Sequence, residues 1–362
     1  MRTPQGLRWW WRLSIGSMLV TGALARTNAR TADAGETNEP FHLIRRTMTV
    51  MGTLATFTVW TDDEARVEQA LVPAYRALTS IEQLMTDWDR PRTPPSDVVR
   101  VNRAAGLHSV TVAPETIEVV NKALWIAGLS EGTFDITYAA MRGLWRFDET
   151  PIKRIPDRAA IEAKRRLINY RDVVVDTRAN GIFLKRVGMR IGLGGIAKGY
   201  AVDRCAAVLR EHGIKDFIVQ VGGDLYASGT HGARPWTVGV QDPRGRHGTS
   251  IGALEVHDQA FSTAGDYERG FIRDHRRYHH IIDPRTGYPA TASRSVSILA
   301  SSAFLADALD DAVFILGPEK GLALVESQPE VGAVIVDQDN HVRLSRRLEG
   351  RFRLWRKPTP GE

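Results

Sequence analysis

The sequence has one cysteine, Cys205, so no disulfide can form within the chain and packing must supply its stability. Outside the N-terminal region it has no apolar run of about 18 residues or more, which excludes a polytopic membrane protein. Charge of one sign is nowhere concentrated. There are 48 Lys and Arg against 42 Asp and Glu, and basic residues gather only in short mixed clusters such as Arg273-Asp274-His275-Arg276-Arg277. A net charge of +6 spread so thinly describes a solvated surface and points away from nucleic acid. No further clustered Cys or His accompanies His275, His279 and His280, so a soft-metal site is not indicated. Glycine and proline, at 32 and 17 residues, are too few for a collagen-like or disordered chain. What remains is an ordinary globular composition, 43% hydrophobic and 25% charged, able to bury one large core or two moderate ones.

The N-terminus has a distinct design. Arg2, Arg8 and Arg12 precede an apolar stretch from Leu13 to Ala25 that closes on Ala23-Leu24-Ala25, the order of a secretory signal peptide with an A-x-A cleavage site. The alternative is an anchor that is never cut. No adjacent Arg-Arg marks a twin-arginine signal, and no cysteine stands at the cleavage site to carry a lipid. Residues 26–40 are small and polar and are expected to be a linker, leaving 41–356 as one domain.

Within that domain, residues 47–60 alternate β-branched and apolar side chains around Gly52, the pattern of a bent strand or hairpin. Val67, Leu71, Ala74, Leu78, Ile81, Met85 and Trp88 share one helical face, with Pro73 as a kink point, and a loop follows at 89–95. Pro114 opens a second helix and a third is expected near 159–166. Strands are expected at 173–175, 182–184, 189–193, 217–221, 236–240, 251–256, 280–282, 296–300 and 331–336. A helix is expected over 305–316, closed by Gly317-Pro318. Cys205 falls on the apolar face of a helix after residue 197 and reads as core. Strands and helices mix with no regular βαβ period. The fold expected is therefore α+β, with mixed or antiparallel sheets and packed helices, not a doubly wound sheet.

Three features could carry chemistry. The turn Gly192-Leu193-Gly194-Gly195-Ile196-Ala197 joins strand to helix, so it is either a cradle for a phosphate or a simple tight turn. It matches the dinucleotide pattern, but the acidic residue expected about 20 positions on is absent. Asp307 and Asp311 lie one helical turn apart, a mildly repulsive spacing unless a cation sits between them. They are either ligands of a hard ion such as Mg²⁺ or an exposed acidic face. His279 and His280 precede the turn Asp283-Pro284-Arg285-Thr286-Gly287, and a histidine there is either a general base or surface decoration.

Taken in order, eight blocks resemble the ApbE family, the FAD:protein FMN transferases. They are Met51-Gly52-Thr53; Met85 and Trp88 followed by Ser96 and Asn102; Gly132 to Thr137 with Leu144, Trp145 and Phe147; Leu193 to Ala201 with Asp203; Val221 to Asp224; Ser262 to Tyr267; His280, Ile282, Asp283, Pro284, Thr286 and Gly287; and Ala306-Asp307-Ala308. The resemblance runs from about Met48 to about Leu354. It implies that FAD is bound as substrate with Mg²⁺, or Ca²⁺, as cofactor. It also implies that a threonine hydroxyl of an acceptor flavoprotein, respiratory and membrane-anchored, attacks the FMN phosphorus and expels AMP. By the same resemblance Met51, Trp88, Thr133, Phe134, Asp135 and Gly192 occupy FAD-binding positions, Gly195, Asp307 and Asp311 the metal site, and His280 the position of the base. Two positions depart from the family pattern: Gly192 stands where Asp is usual, and Asp311 where Thr is usual.

Hydrolysis of FAD to FMN and AMP would use the same residues with water as acceptor, and a carrier that only binds FAD would need no base. With an exported N-terminus, the expected compartment is the periplasm. Intact-mass measurement of the exported fraction should therefore find a chain beginning near Arg26; full-length chain confined to the cytosol would contradict it.

Overall fold

The computed structural model describes residues 41–91, 93–147 and 154–361; the expected signal peptide and linker lie outside the described residues. Eight strands form one antiparallel sheet in which spatial order equals chain order: His42–Val50, Thr53–Thr61, Phe217–Val221, Asp224–Ser228, Gln259–Gly265, Ser293–Ala300, Gly332–Asp337 and Val342–Leu344. Each strand thus pairs with its predecessor in this set, and the helices and three smaller sheets are built chiefly from the segments between them. No parallel pair and no closed barrel occurs among these strands, which is the expected α+β arrangement.

Both faces of the sheet are buried, and the period of two in its strands sorts residues between two cores. Phe217, Val219 and Val221 join the core under the helices, whereas Ile218 joins the core on the opposite face. Ala333 and Ile335 alternate with Val334 and Val336 in the same way. The helical layer consists of α1 (Glu64–Met85), α2 (Asp97–Arg103), α3 (Pro114–Leu129), α4 (Arg158–Arg165), α5 (Ala197–Glu211), α6 (Ala303–Leu316) and α7 (Pro318–Glu326). The other face carries a four-stranded sheet, in the order 353–354, 250–256, 234–241 and 230–231, with Trp236, Val238 and Leu254 filling the gap. A third cluster, Met141, Trp145, Ile161, Phe271, Tyr278 and Ile282, supports the hairpin formed by Gly270–Arg273 and Arg276–His279.

Several local expectations change. α1 stops at Met85, so Trp88 lies beyond it rather than on its apolar face. α2, capped by the Ser96 hydroxyl, was not expected; at two turns it is too short to show a period. Residues 189–193 form no ladder. The Asn102 side chain takes a strand's place there, donating to the Ile191 carbonyl at 2.9 Å and accepting from its N–H at 2.7 Å. The hairpin strand ends at His279, and residues 280–282 contribute only an isolated bridge between Ile282 and Pro289. Cys205 is fully buried between α5 and α1, its thiol 3.6 Å from the Ala74 carbonyl.

The contact of α5 with α6 sets the geometry of everything near it. Asp203 of α5 accepts the Ala303 and Phe304 N–H groups, satisfying two donors at the start of α6. One turn earlier Gly199 lies against α6 so closely that a Cβ there would stand 2.1 Å from the Ala303 carbonyl oxygen. Gly199→Ala should therefore destabilise the protein by about 1–3 kcal/mol, as overpacking against backbone does. Gly128→Ala, where nothing lies within 4 Å on a helix, should be neutral or gain up to about 1 kcal/mol. Urea unfolding midpoints of the two variants test this.

Candidate functional site

The glycine turn ends in Ile196, which caps α5 with no side-chain hydrogen bond, so the N–H groups of the first turn need acceptors from elsewhere. Gly199 donates its N–H to Asp307 Oδ2 at 2.8 Å. At that N–H the anion at the helix N-terminus is thus a carboxylate of α6, placed where the helix field favours it.

Around this contact the fold gathers four acids. Asp307 is only 2% exposed, Asp310 beside it 4%, and Asp311 is half-buried, so this is not an exposed acidic face. Asp224, at the start of its strand, brings a carboxylate oxygen within 4.8 Å of oxygens of Asp307 and Asp310. Lys198 pairs with Asp224 and, at 3.3 Å, with Asp307 Oδ1. The Ser262 hydroxyl bonds the carboxyls of both Asp224 and Asp310. Burial alone would discharge Lys198, but Asp224 and Asp307 outweigh it and hold the ammonium protonated. Burial also pushes Asp310 well above the usual carboxylate range, with Asp311 and Asp307 adding repulsion.

Asp311 differs from the other three. It has no hydrogen bond or ion pair among the described residues, and burial foremost pushes it up to about 6. It lies against Gly195, where a Cβ would come within 2.6 Å of Asp311 Oδ2. Asp307, raised to about 7 by burial and Asp224, stands one turn away. A vacant carboxylate beside a second carboxylate and a side-chain-free backbone is an all-oxygen donor set, which fits a hard divalent cation such as Mg²⁺ or Ca²⁺. The Asp224, Asp307 and Asp310 grouping is a poorer fit, because Lys198 and Ser262 already satisfy it.

The two adjacent histidines have different fates. His279 is buried, with Nε2 2.7 Å from the Ala290 carbonyl and its ring edge-on to Phe314, so it is structural. His280 keeps part of its surface, while its Nδ1 is buried with no hydrogen-bond partner. Burial, then His279 and Arg269, lower it to about 3, so the ring is neutral near pH 7. Lys198 also bears on His280, and Arg269 and Asp311 both bear on Tyr138, which ties the histidine side to the acid cluster.

The other expected site residues surround this centre. Phe134 approaches to 3.5 Å from the Cβ position of Gly195, and the Gly192 N–H donates to Ile136 at 2.9 Å, so residues 133–136 form a wall beside the glycine turn. Thr133 and Asp135 spend their polar atoms locally. Thr133 donates to the Ser130 carbonyl at 2.9 Å, and Asp135 accepts from Thr137 N and Oγ1 and from Tyr170 N. Trp88 is 65% exposed, and the Arg142 guanidinium sits 4.2 Å above its ring. Met51 occupies the tip of the first hairpin in left-handed geometry, φ 52°. A side chain at residue 192 would meet Ala139 and face Asp87 Oδ2 at 3.6 Å, so an acid there would meet a like charge.

Lys198, Asp224, Ser262 and Asp310 were not singled out as site residues from sequence, though three of them stand inside the resembling blocks. Asp310 shares α6 with Asp307 and Asp311, whereas Lys198, Asp224 and Ser262 converge from one helix and two strands far apart in the chain.

Comparison with known proteins supports the same region. A family model described as the ApbE family matches residues 51–335. An FAD:protein FMN transferase of Treponema pallidum is 33% identical over 322 residues, covering 84% of this chain and 87% of the relative. One of Klebsiella pneumoniae is 30% identical over 306 residues, covering 84% and 92%. Among solved structures, the ApbE protein of Thermotoga maritima superimposes with TM-score 0.77 at 30% identity, covering 86% of this chain and all of that one. The flavin transferase ApbE of Vibrio cholerae gives 0.76 at 25% identity, also covering 86% and 100%.

The acid cluster has a pH signature. Asp307 and Asp311, at about 7 and about 6, bind protons more tightly folded than unfolded, where a carboxyl titrates near 4. Their contribution is therefore fully present below about pH 4 and is lost as pH rises through 6 to 7. In chelator, the urea midpoint should fall between pH 5 and 7.5, and Asp311→Asn should flatten that fall. Added Mg²⁺ should restore stability at pH 7.5 much more than at pH 5.

Proposed function

The chain belongs to the ApbE family, and from that membership we propose that it is an FAD:protein FMN transferase. In this reading it moves FMN from FAD to a threonine hydroxyl of an acceptor flavoprotein and releases AMP, with Mg²⁺ as cofactor. The observation that supports it is the unpartnered Asp311 carboxylate against Gly195, one helical turn from Asp307, with the Lys198 charge bearing on Asp307 and on His280. The N-terminal charge and hydropathy pattern supports action in the periplasm, on a membrane-anchored respiratory acceptor.

Each group then has a task. Asp307, Asp311 and the Gly195 carbonyl would hold the divalent ion, which when bound neutralises diphosphate charge. His280 takes the threonine proton at an unprotonated ring nitrogen as the oxygen attacks phosphorus, and burial keeps that ring uncharged beforehand. Trp88 offers an exposed aromatic face, and Phe134 and Met51 offer apolar surface, for the flat rings of FAD. Phosphoryl transfer depends chiefly on positioning and charge neutralisation, which a rigid cluster of this kind provides.

Incubation with FAD, Mg²⁺ and a candidate acceptor, followed by acceptor mass and by AMP and FMN release, tests the reading. His280→Ala should lower transfer by about 10²–10⁴-fold while FAD still binds. AMP and free FMN without modified acceptor would mean a hydrolase; FAD binding with neither product would mean a carrier.

A further inference from the structure

The cation corner and the base leave one electrostatic demand unmet. The cluster contains four carboxyl groups against one ammonium, Lys198, and that ammonium is already shared between Asp224 and Asp307. A dinucleotide substrate brings two further negative phosphates. When the bond to the leaving phosphate breaks, its electron pair stays on that phosphate and raises its charge. A second cation free of carboxylate partners is needed close to His280.

Arg269 meets this demand. It lies immediately before the hairpin, and its carbonyl accepts the His280 N–H at 3.1 Å, which fixes the two residues side by side. Its side chain is exposed and makes no ion pair among the described residues, not even with its neighbour Glu268. Three other cations of this region are spent: Arg142 pairs with Asp87 and stacks on Trp88, Lys198 is tied to two acids, and Arg244 forms a bidentate pair with Asp266. The charge of Arg269 acts on Tyr138, beside the glycine turn, as well as on His280, so it bears on both sides of the site.

From this arrangement we infer that Arg269 binds the AMP-side phosphate of FAD and stabilises it as the leaving group. This rests on the transferase reading for its chemistry. The threonine oxygen bonds to the FMN phosphorus, the bond from that phosphorus to the AMP phosphate oxygen breaks, the electron pair leaves with AMP, and the threonine proton goes to His280. Arg269 meets the charge that appears on the departing oxygen.

The test compares FAD with riboflavin, which carries no phosphate, by fluorescence titration in Mg²⁺ for the wild type, Arg269→Gln and Arg269→Lys. Arg269→Gln should weaken FAD about tenfold and leave riboflavin unchanged, with Arg269→Lys restoring much of the preference. Transfer to the acceptor should fall further, about 10²–10³-fold, in Arg269→Gln. An unchanged FAD preference overturns the inference, whether or not transfer falls, and so does equal weakening of both ligands. If the wild type transfers no FMN, the transferase reading fails by itself, and the ligand comparison still decides whether Arg269 holds the phosphate.

Discussion

The hydrogen bond from the Gly199 N–H to Asp307 is the contact on which the rest of the site depends. It requires α5 and α6 to approach until the backbone of one meets the backbone of the other, and only glycine leaves room at that point. Once α5 is docked there, the glycine turn before it lies against Asp311, and Lys198 in its first turn reaches both Asp307 and Asp224. Asp203, one turn further on, secures the same pair of helices from the other end by accepting the first N–H groups of α6. Helix packing and site geometry are therefore one constraint.

Burying so many acids is costly, and the antiparallel sheet helps to offset that cost. Asp224 and Ser262 come from neighbouring strands of the sheet, and they carry hydrogen bonds up to the helical layer at Lys198 and Asp310. A charge buried without partners would be expelled or neutralised; held in a connected network it stays and stiffens its surroundings. The one acid outside the network, Asp311, is the one left with free oxygens beside open backbone. Stability and chemical capacity are thus divided between residues one position apart on α6.

What could be read in the sequence depended on how far the signal extends along the chain. The long helices, the central strands, the buried Cys205 and the pairing of Asp307 with Asp311 follow from periods of 3.6 and 2 within short windows. Trp88 matched the helical period but lies past the end of α1, because a period alone does not say where a helix stops. Residues 189–193 read as a strand, but the partner of Ile191 is an asparagine side chain 89 positions away, which no local pattern announces. The same holds for Ser262 and Asp224: their place beside α6 is a property of sheet order. Resemblance supplied the role of His280, and the structure separated it from His279 by giving one ring a carbonyl partner and the other none.

The Ser262 hydroxyl has a consequence that follows from counting hydrogens. It has one proton to donate, yet it lies within bonding distance of two carboxyl groups, so one of those contacts must be made by a proton on the acid. Asp224 pairs with the Lys198 ammonium and accepts; Asp310, raised far above its normal range, is the donor. One serine oxygen on the central sheet thus gives two buried carboxyls opposite roles, one as acceptor and one as donor, with no second ammonium between them.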